Sequence, residues 1–222
     1  MRFPGLLLAA LLLPASGVAA EPPKFTTPDE KKLYQWGAGL GDEVANVGAT
    51  SPGELEWVFR GIRDRVAGRS PPFSAEEHAQ LTNYLLGRIE KNGAYEKEQA
   101  RAYLAARARE PGARVTASGL VYREIVAGKG AKAPPGATVK VEYAGRLRNG
   151  WTFDSSRQRG APLEISLGAV IPCWQEAITL MKVGGKADLA CPPELAYADG
   201  GSYNIPPGSA LSFEVELLAV LP

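Results

Sequence analysis

Between residues 27 and 110 apolar positions recur at helical spacing in three runs, and each run opens on a start signal. Thr27-Pro28-Asp29-Glu30, Ser51-Pro52-Gly53-Glu54 and Ser74-Ala75-Glu76-Glu77 each set a hydroxyl at the cap position with Glu three residues later. The first two also place Pro at the first helical position. The stripes that follow are Leu33, Trp36, Leu40, Val44 and Val47; then Leu55, Val58, Phe59, Ile62 and Val66; then Leu81, Leu85 and Ile89. The pattern predicts three amphipathic helices. Asn92-Gly93 is expected to interrupt the third, and the Ala- and charge-rich stretch from Ala94 to Glu110 to resume helix as a connector until Pro111-Gly112 stops it. Three short helices bury little surface by themselves, so their stripes are expected to pack on a second copy of the chain as well as on one another.

From Val115 the periodicity switches to two, with Gly and Pro as punctuation. Strands are expected at Leu120 to Val126, Thr138 to Leu147, Leu163 to Leu167, Lys186 to Cys191 and Leu211 to Val220, with one short helix near Trp174 to Met181. A mainly antiparallel sheet with one helix laid on it is an α+β arrangement, preceded here by an all-helical region. The division that follows is residues 1–20 as a leader, 21–93 as a helical domain, 94–114 as a connecting helix and 115–222 as the β-rich domain.

Composition sharpens this in two places. Arg2, the apolar run Leu6 to Leu13 and the small residues Val18-Ala19-Ala20 have the layout of a cleavable export signal, with the cut expected after Ala20. A membrane anchor is the other reading, but the run is short and broken by Pro14. The only cysteines, Cys173 and Cys191, then suggest one disulfide in an oxidising compartment, the alternative being two buried thiols. With 25 Lys and Arg against 24 Asp and Glu, no net field favours nucleic acid.

Candidate chemistry is limited. One histidine, two cysteines and no acidic cluster at ligand spacing are too few donors for a metal site, and no catalytic triad can be assembled. Gly128-Lys129-Gly130, Gly184-Gly185 and Gly200-Gly201 lack the strand–loop–helix context of a phosphate cradle, so no nucleotide or other cofactor is expected. A domain rich in aromatics and poor in reactive groups suits a reaction that needs shape and dryness.

The segment Val141-Glu-Tyr143-Ala-Gly145-Arg-Leu147-Arg-Asn149-Gly150-Trp-Thr-Phe153-Asp154-Ser155-Ser156 resembles the signature of FKBP-type peptidyl-prolyl cis-trans isomerases. Leu167-Gly168, Val170-Ile171-Pro172 with Trp174, Met181 to Gly184, Leu195-Ala-Tyr197, Ile205-Pro206-Pro207 and Phe213 to Leu217 continue the match in the family's order. The helical region and the Thr116 to Tyr122 lead-in are similar to Mip-like bacterial members, which dimerise through N-terminal helices.

The resemblance implies a twisted antiparallel sheet wrapped around one short helix, with the active pocket between them. It assigns Tyr143, Phe153, Asp154, Trp174, Tyr197 and Phe213 to catalysis, with Val170, Ile171, Ile205, Leu163 and Arg159 contacting substrate. Trp174 would be the floor under the pyrrolidine ring, the Tyr197 hydroxyl a hydrogen-bond partner for a substrate carbonyl, and Asp154 an orienting group for Tyr143 or Arg159. Leu163 stands where many members carry an aromatic, which thins one wall, and the Ala198 to Asn204 loop differs from that of single-domain members. The implied partners are proline-containing unfolded or exported polypeptides, macrolide immunosuppressant-type inhibitors and a second copy of the chain. The expected activity is isomerisation of X-Pro bonds during folding of exported proteins; the alternative is a holdase using the same pocket with little turnover.

Overall fold

The computed structural model describes residues 23–48, 50–202 and 204–221; the leader expected at residues 1–20 lies outside them. The chain divides into two units between Gly37 and Ala38. In the first, helix α1 (Pro28–Asn46) starts on a local cap: the Thr27 hydroxyl accepts the Glu30 N–H at 3.2 Å, and the Glu30 carboxylate accepts the N–H of Thr26 and of Thr27. Phe25 lies against Tyr34 with ring centroids 5.3 Å apart.

In the second unit, α2 (Pro52–Val66) and α3 (Ala75–Arg107) both begin on the capping boxes anticipated at Ser51 and Ser74, with the Glu54 and Glu77 side chains reaching back to the cap backbone. Hydrogen bonds from Ser51 and Arg88 hold the Glu54 carboxyl down at about 2. The Arg88 guanidinium also donates to the carbonyls of Val47 (2.8 Å) and Gly48 (2.6 Å), and the Asn92 amide to those of Ala45 and Asn46, both at 3.2 Å. A cation and an amide thus engage the carbonyls at and just after the end of α1, where the helix leaves acceptors without intrahelical partners.

The expected interruption at Asn92-Gly93 does not occur: α3 runs through it without a break for 33 residues. A mid-helix Gly disfavours helix by up to about 1 kcal/mol, but both residues have tertiary partners here. Asn92 is engaged with α1, and Gly93 is buried where an added Cβ would lie 3.2 Å from the Cβ of Pro207. The second half of α3, where the connecting helix is expected, also packs on the β-rich domain. Ala100 is 1% exposed, Glu96 accepts hydrogen bonds from Arg148 Nε and Nη2 at 2.9 and 2.8 Å, and Arg107 shares the Asp188 carboxylate with Arg123.

The sheet is antiparallel throughout, in the order β1 (Ala113–Val115), β2 (Val121–Val126), β6 (Lys186–Cys191), β7 (Leu211–Leu221), β3 (Thr138–Leu147) and β4 (Thr152–Ser155), with β5 (Leu163–Ser166) pairing the first half of β3. The five strands expected are present; β1 and β4, at three and four residues, are too short to leave a period-two signature. Alternation places Val139, Val141 and Tyr143 of β3 and Leu211, Phe213, Val215 and Leu217 of β7 on the buried face. A one-turn helix, α4 (Ser156–Arg159), follows β4, and onto the buried face of the sheet α5 (Pro172–Leu180) presses Cys173, Trp174, Ala177 and Ile178. It begins two residues before the expected Trp174 because Pro172 serves as its first residue. Cys173 and Cys191 are joined as a disulfide that ties the first turn of α5 to the end of β6, and both are fully buried.

Candidate active site

The cavity between α5 and the sheet has a volume of about 360 Å³, within the roughly 300–1,000 Å³ usual for small-ligand sites. Its walls are gathered from separate parts of the chain. β3 contributes Tyr143, β4 Phe153 and Asp154, β5 Leu163 and Ile165, the turn before α5 Ala169 to Ile171, and β7 Phe213, while Trp174 of α5 closes the floor. Tyr197, on the β6–β7 connection, is 39% exposed at the rim.

The aromatic floor is a set of edge-to-face contacts. Trp174 meets Tyr143 at 5.0 Å between centroids and 82° between planes, and Phe213 at 5.4 Å and 80°; Phe213 meets Phe153 at 5.7 Å and 89°. These are favoured geometries for π-systems, each contributing about 0.5–1.5 kcal/mol beyond the area buried. The glycine of the Val141 to Gly145 motif has a defined part in this. Gly145 lies opposite Phe213 in register, and a Cβ there would sit 2.7 Å from Phe153 and 2.8 Å from Phe213. Both rings lean over bare backbone that any side chain would fill.

One polar cluster edges this apolar cup. The Asp154 carboxylate accepts the Tyr143 hydroxyl at 2.6 Å and two Arg159 nitrogens at 2.9 and 2.7 Å. Burial alone would push the Asp154 carboxyl up, but the Arg159 and Tyr143 hydrogen bonds outweigh it and hold the group below the ordinary carboxylate value. Burial, together with donation to Asp154, pushes the Tyr143 phenol up to about 12. The same pairing raises the Arg159 guanidinium. All three groups therefore keep one protonation state through neutral pH. Asp154 is a fixed anion with its oxygens engaged, a geometry for orienting neighbours and for setting a local field, not for donating a proton.

Of the residues nominated from the sequence, Tyr143, Phe153, Asp154, Arg159, Leu163, Val170, Ile171, Trp174, Tyr197 and Phe213 all line this cavity. Ile205 does not. It is 3% exposed and belongs to the core, fixed by reciprocal backbone hydrogen bonds with Ser202 at 2.9 Å. Ile165 and Ala169 line the cavity without having been nominated. Ile165 was within reach of sequence reasoning, since it follows Leu163 by two on one strand and so shares its face. Among the described residues no group of three or more His, Cys, Asp and Glu side chains could hold a metal ion.

An aromatic-lined cup set between one short helix and an antiparallel sheet, edged by an ion-paired carboxylate, is the arrangement that the resemblance implied. The family description "FKBP-type peptidyl-prolyl cis-trans isomerase" matches residues 129–218, and "Domain amino terminal to FKBP-type peptidyl-prolyl isomerase" matches residues 29–123. The chain belongs to this family and is a peptidyl-prolyl cis-trans isomerase. It is 35% identical over 212 residues to the FKBP-type peptidyl-prolyl cis-trans isomerase FkpA of Escherichia coli K12, covering 89% of this chain and 78% of that one. It is 37% identical over 209 residues to the FKBP-type 22 kDa peptidyl-prolyl cis-trans isomerase of the same organism, covering 90% and 98%. The crystal structure of FkpA from Escherichia coli superposes with a TM-score of 0.65 at 36% identity, covering 90% of this chain and 99% of that one.

Proposed function

We propose that isomerisation occurs in the Trp174 cup by selective stabilisation of a twisted X-Pro amide, and that the clients are proline-containing chains folding outside the cytoplasm. The amide barrier of about 18–20 kcal/mol comes from conjugation of nitrogen with the carbonyl. A planar amide carries more charge on its oxygen than a twisted one, so a site poor in water disfavours the ground state relative to the transition state. The observation that carries this reading is the unbroken edge-to-face chain from Tyr143 through Trp174 and Phe213 to Phe153. The pyrrolidine ring rests on Trp174 between Phe153 and Phe213, the Tyr197 hydroxyl donates to a substrate carbonyl, and the anchored Asp154–Arg159 pair orients Tyr143. Leu163 and Ile165, in place of a bulkier wall, leave room for a large side chain before the proline. A macrolide of the immunosuppressant type fits the same cup and competes with substrate.

Export is supported by the leader-like sequence of residues 1–20 and by the buried Cys173–Cys191 bridge, since disulfides persist in oxidising compartments. A homodimer through the N-terminal helices is supported by large apolar side chains left exposed on them: Trp57 at 71%, Tyr84 at 59% and Phe59 at 51%. The test is refolding of a proline-limited substrate protein with and without macrolide. Acceleration abolished by the macrolide is expected. A macrolide-insensitive effect, or suppressed aggregation without acceleration, assigns the activity to holding of unfolded chain instead.

A further inference from the structure

The β6–β7 connection that carries Tyr197 is bracketed by the middle of α3. Pro207 packs on Gly93, and Gly208, at φ +74°, comes so near the helix that a Cβ on it would lie 2.7 Å from both the Gly93 carbonyl oxygen and the Lys97 Cγ. Lys97 Nζ also pairs with Asp199 Oδ1 at 2.6 Å. The contact is relayed to Tyr197 by backbone hydrogen bonds: Gly208 N–H donates to the Ala198 carbonyl at 2.8 Å, and Ala198 N–H donates to the Pro193 carbonyl at 2.8 Å. Between these bonds Ala198 is held at φ +48°, the only non-glycine residue at positive φ among those described. A left-handed alanine is strained and persists where surrounding contacts over-determine it. Ala198 directly follows Tyr197, so its setting fixes the backbone on the C-terminal side of Tyr197, at the rim of the cup.

We propose that Gly93 and Lys97 of α3 are positioning residues for isomerisation: by clamping Pro207, Gly208 and Asp199 they hold the strained Ala198 turn and hence the Tyr197 hydroxyl. Gly93 permits the backbone approach, and Lys97 closes the clamp with its stem on Gly208 and its ammonium on Asp199. The proposal rests on the reading of Tyr197 as the partner of a substrate carbonyl. It makes the long helix a working part of the active site.

The test is a double-mutant cycle in the full chain, reading kcat/KM on a short proline peptide with thermal melts in parallel. Tyr197→Phe is expected to lower kcat/KM by about two- to ten-fold, the range for one net hydrogen bond. Lys97→Glu, which sets like charges at the clamp, and Gly93→Leu, which wedges the helix away from Pro207, are expected to give comparable losses. Each should add little in the Tyr197→Phe background, and Lys97→Glu combined with Asp199→Lys should recover the rate. A wild-type rate in Lys97→Glu overturns the role of Lys97, and a wild-type rate in folded Gly93→Leu overturns that of Gly93. Losses that multiply in full with that of Tyr197→Phe overturn the route through Tyr197. A wild-type rate in Tyr197→Phe itself removes the hydroxyl reading and the proposal with it, a failure distinct from the others. If Gly93→Leu does not fold, the Lys97–Asp199 series decides by the same outcomes.

Discussion

Reduction of the Cys173–Cys191 bridge gives the clearest quantitative expectation. The two cysteines are 18 residues apart, and closing a loop of that length removes about 3 kcal/mol of unfolded-chain entropy at 25 °C. Reduction leaves the native packing nearly intact, so this is close to the whole expected loss. Replacing both cysteines by alanine adds small voids, because each is fully buried. Urea unfolding followed by tryptophan fluorescence, for the oxidised chain, the reduced chain and Cys173→Ala/Cys191→Ala, reads the effect. With a slope of about 1–3 kcal/mol per molar, the midpoint should fall by roughly 1–3 M on reduction and slightly further in the double variant. Turnover at 25 °C in the folded fraction should persist, since Trp174 remains held by Tyr143 and Phe213. A midpoint unmoved by reduction, with loss of both thiols to oxidation verified beforehand, would refute the entropic argument for this bridge.

Gly145→Ala should destabilise the domain by about 1–3 kcal/mol, because the new methyl overlaps both Phe153 and Phe213; kcat/KM should drop as well, and equilibrium denaturation together with a peptide assay checks both. Asp154 has a depressed folded value, so its contribution to stability is complete above the unfolded carboxylate value of about 3.9 and is lost as pH falls through the folded one. Melting temperatures taken below pH 4 should therefore fall more steeply for wild type than for Asp154→Asn, and parallel curves would contradict the pairing with Arg159 and Tyr143. Tyr143→Phe removes the hydrogen bond to Asp154 while keeping the ring contact with Trp174. A modest fall in kcat/KM without a change in fold is expected by circular dichroism and the peptide assay.

The helix caps were legible because Ser51-Pro-Gly-Glu54 and Ser74-Ala-Glu-Glu77 carry their partners within four residues. The longer strands were legible because β3 alternates between buried and half-buried positions along most of its length and β7 does so from Phe213 to Leu217. Most of the cavity followed from the ordered motif between Val141 and Phe213. What escaped depends on contacts distant in sequence. Asn92-Gly93 reads as a stop in isolation, yet Asn92 bonds to residues 46 and 47 positions away, and Gly93 meets Pro207. The docking of α3 on the catalytic domain through Arg148, Asp199 and Asp188 has no local signature at all. The motif puts Ile205 at the cavity wall, whereas the fold buries it in the core beside the Ser202–Ile205 bridge.

The central claim is that catalysis takes place in the cup floored by Trp174. Trp174→Leu keeps an apolar residue there but removes the plane on which the pyrrolidine rests and both of its ring contacts. The direct measurement is cis-to-trans isomerisation of a short proline peptide by the full chain and by this variant, at concentrations where circular dichroism reports both as folded. Catalysed exchange by the wild-type chain and a rate near the uncatalysed one for Trp174→Leu are expected. Wild-type turnover in the variant would contradict the central claim.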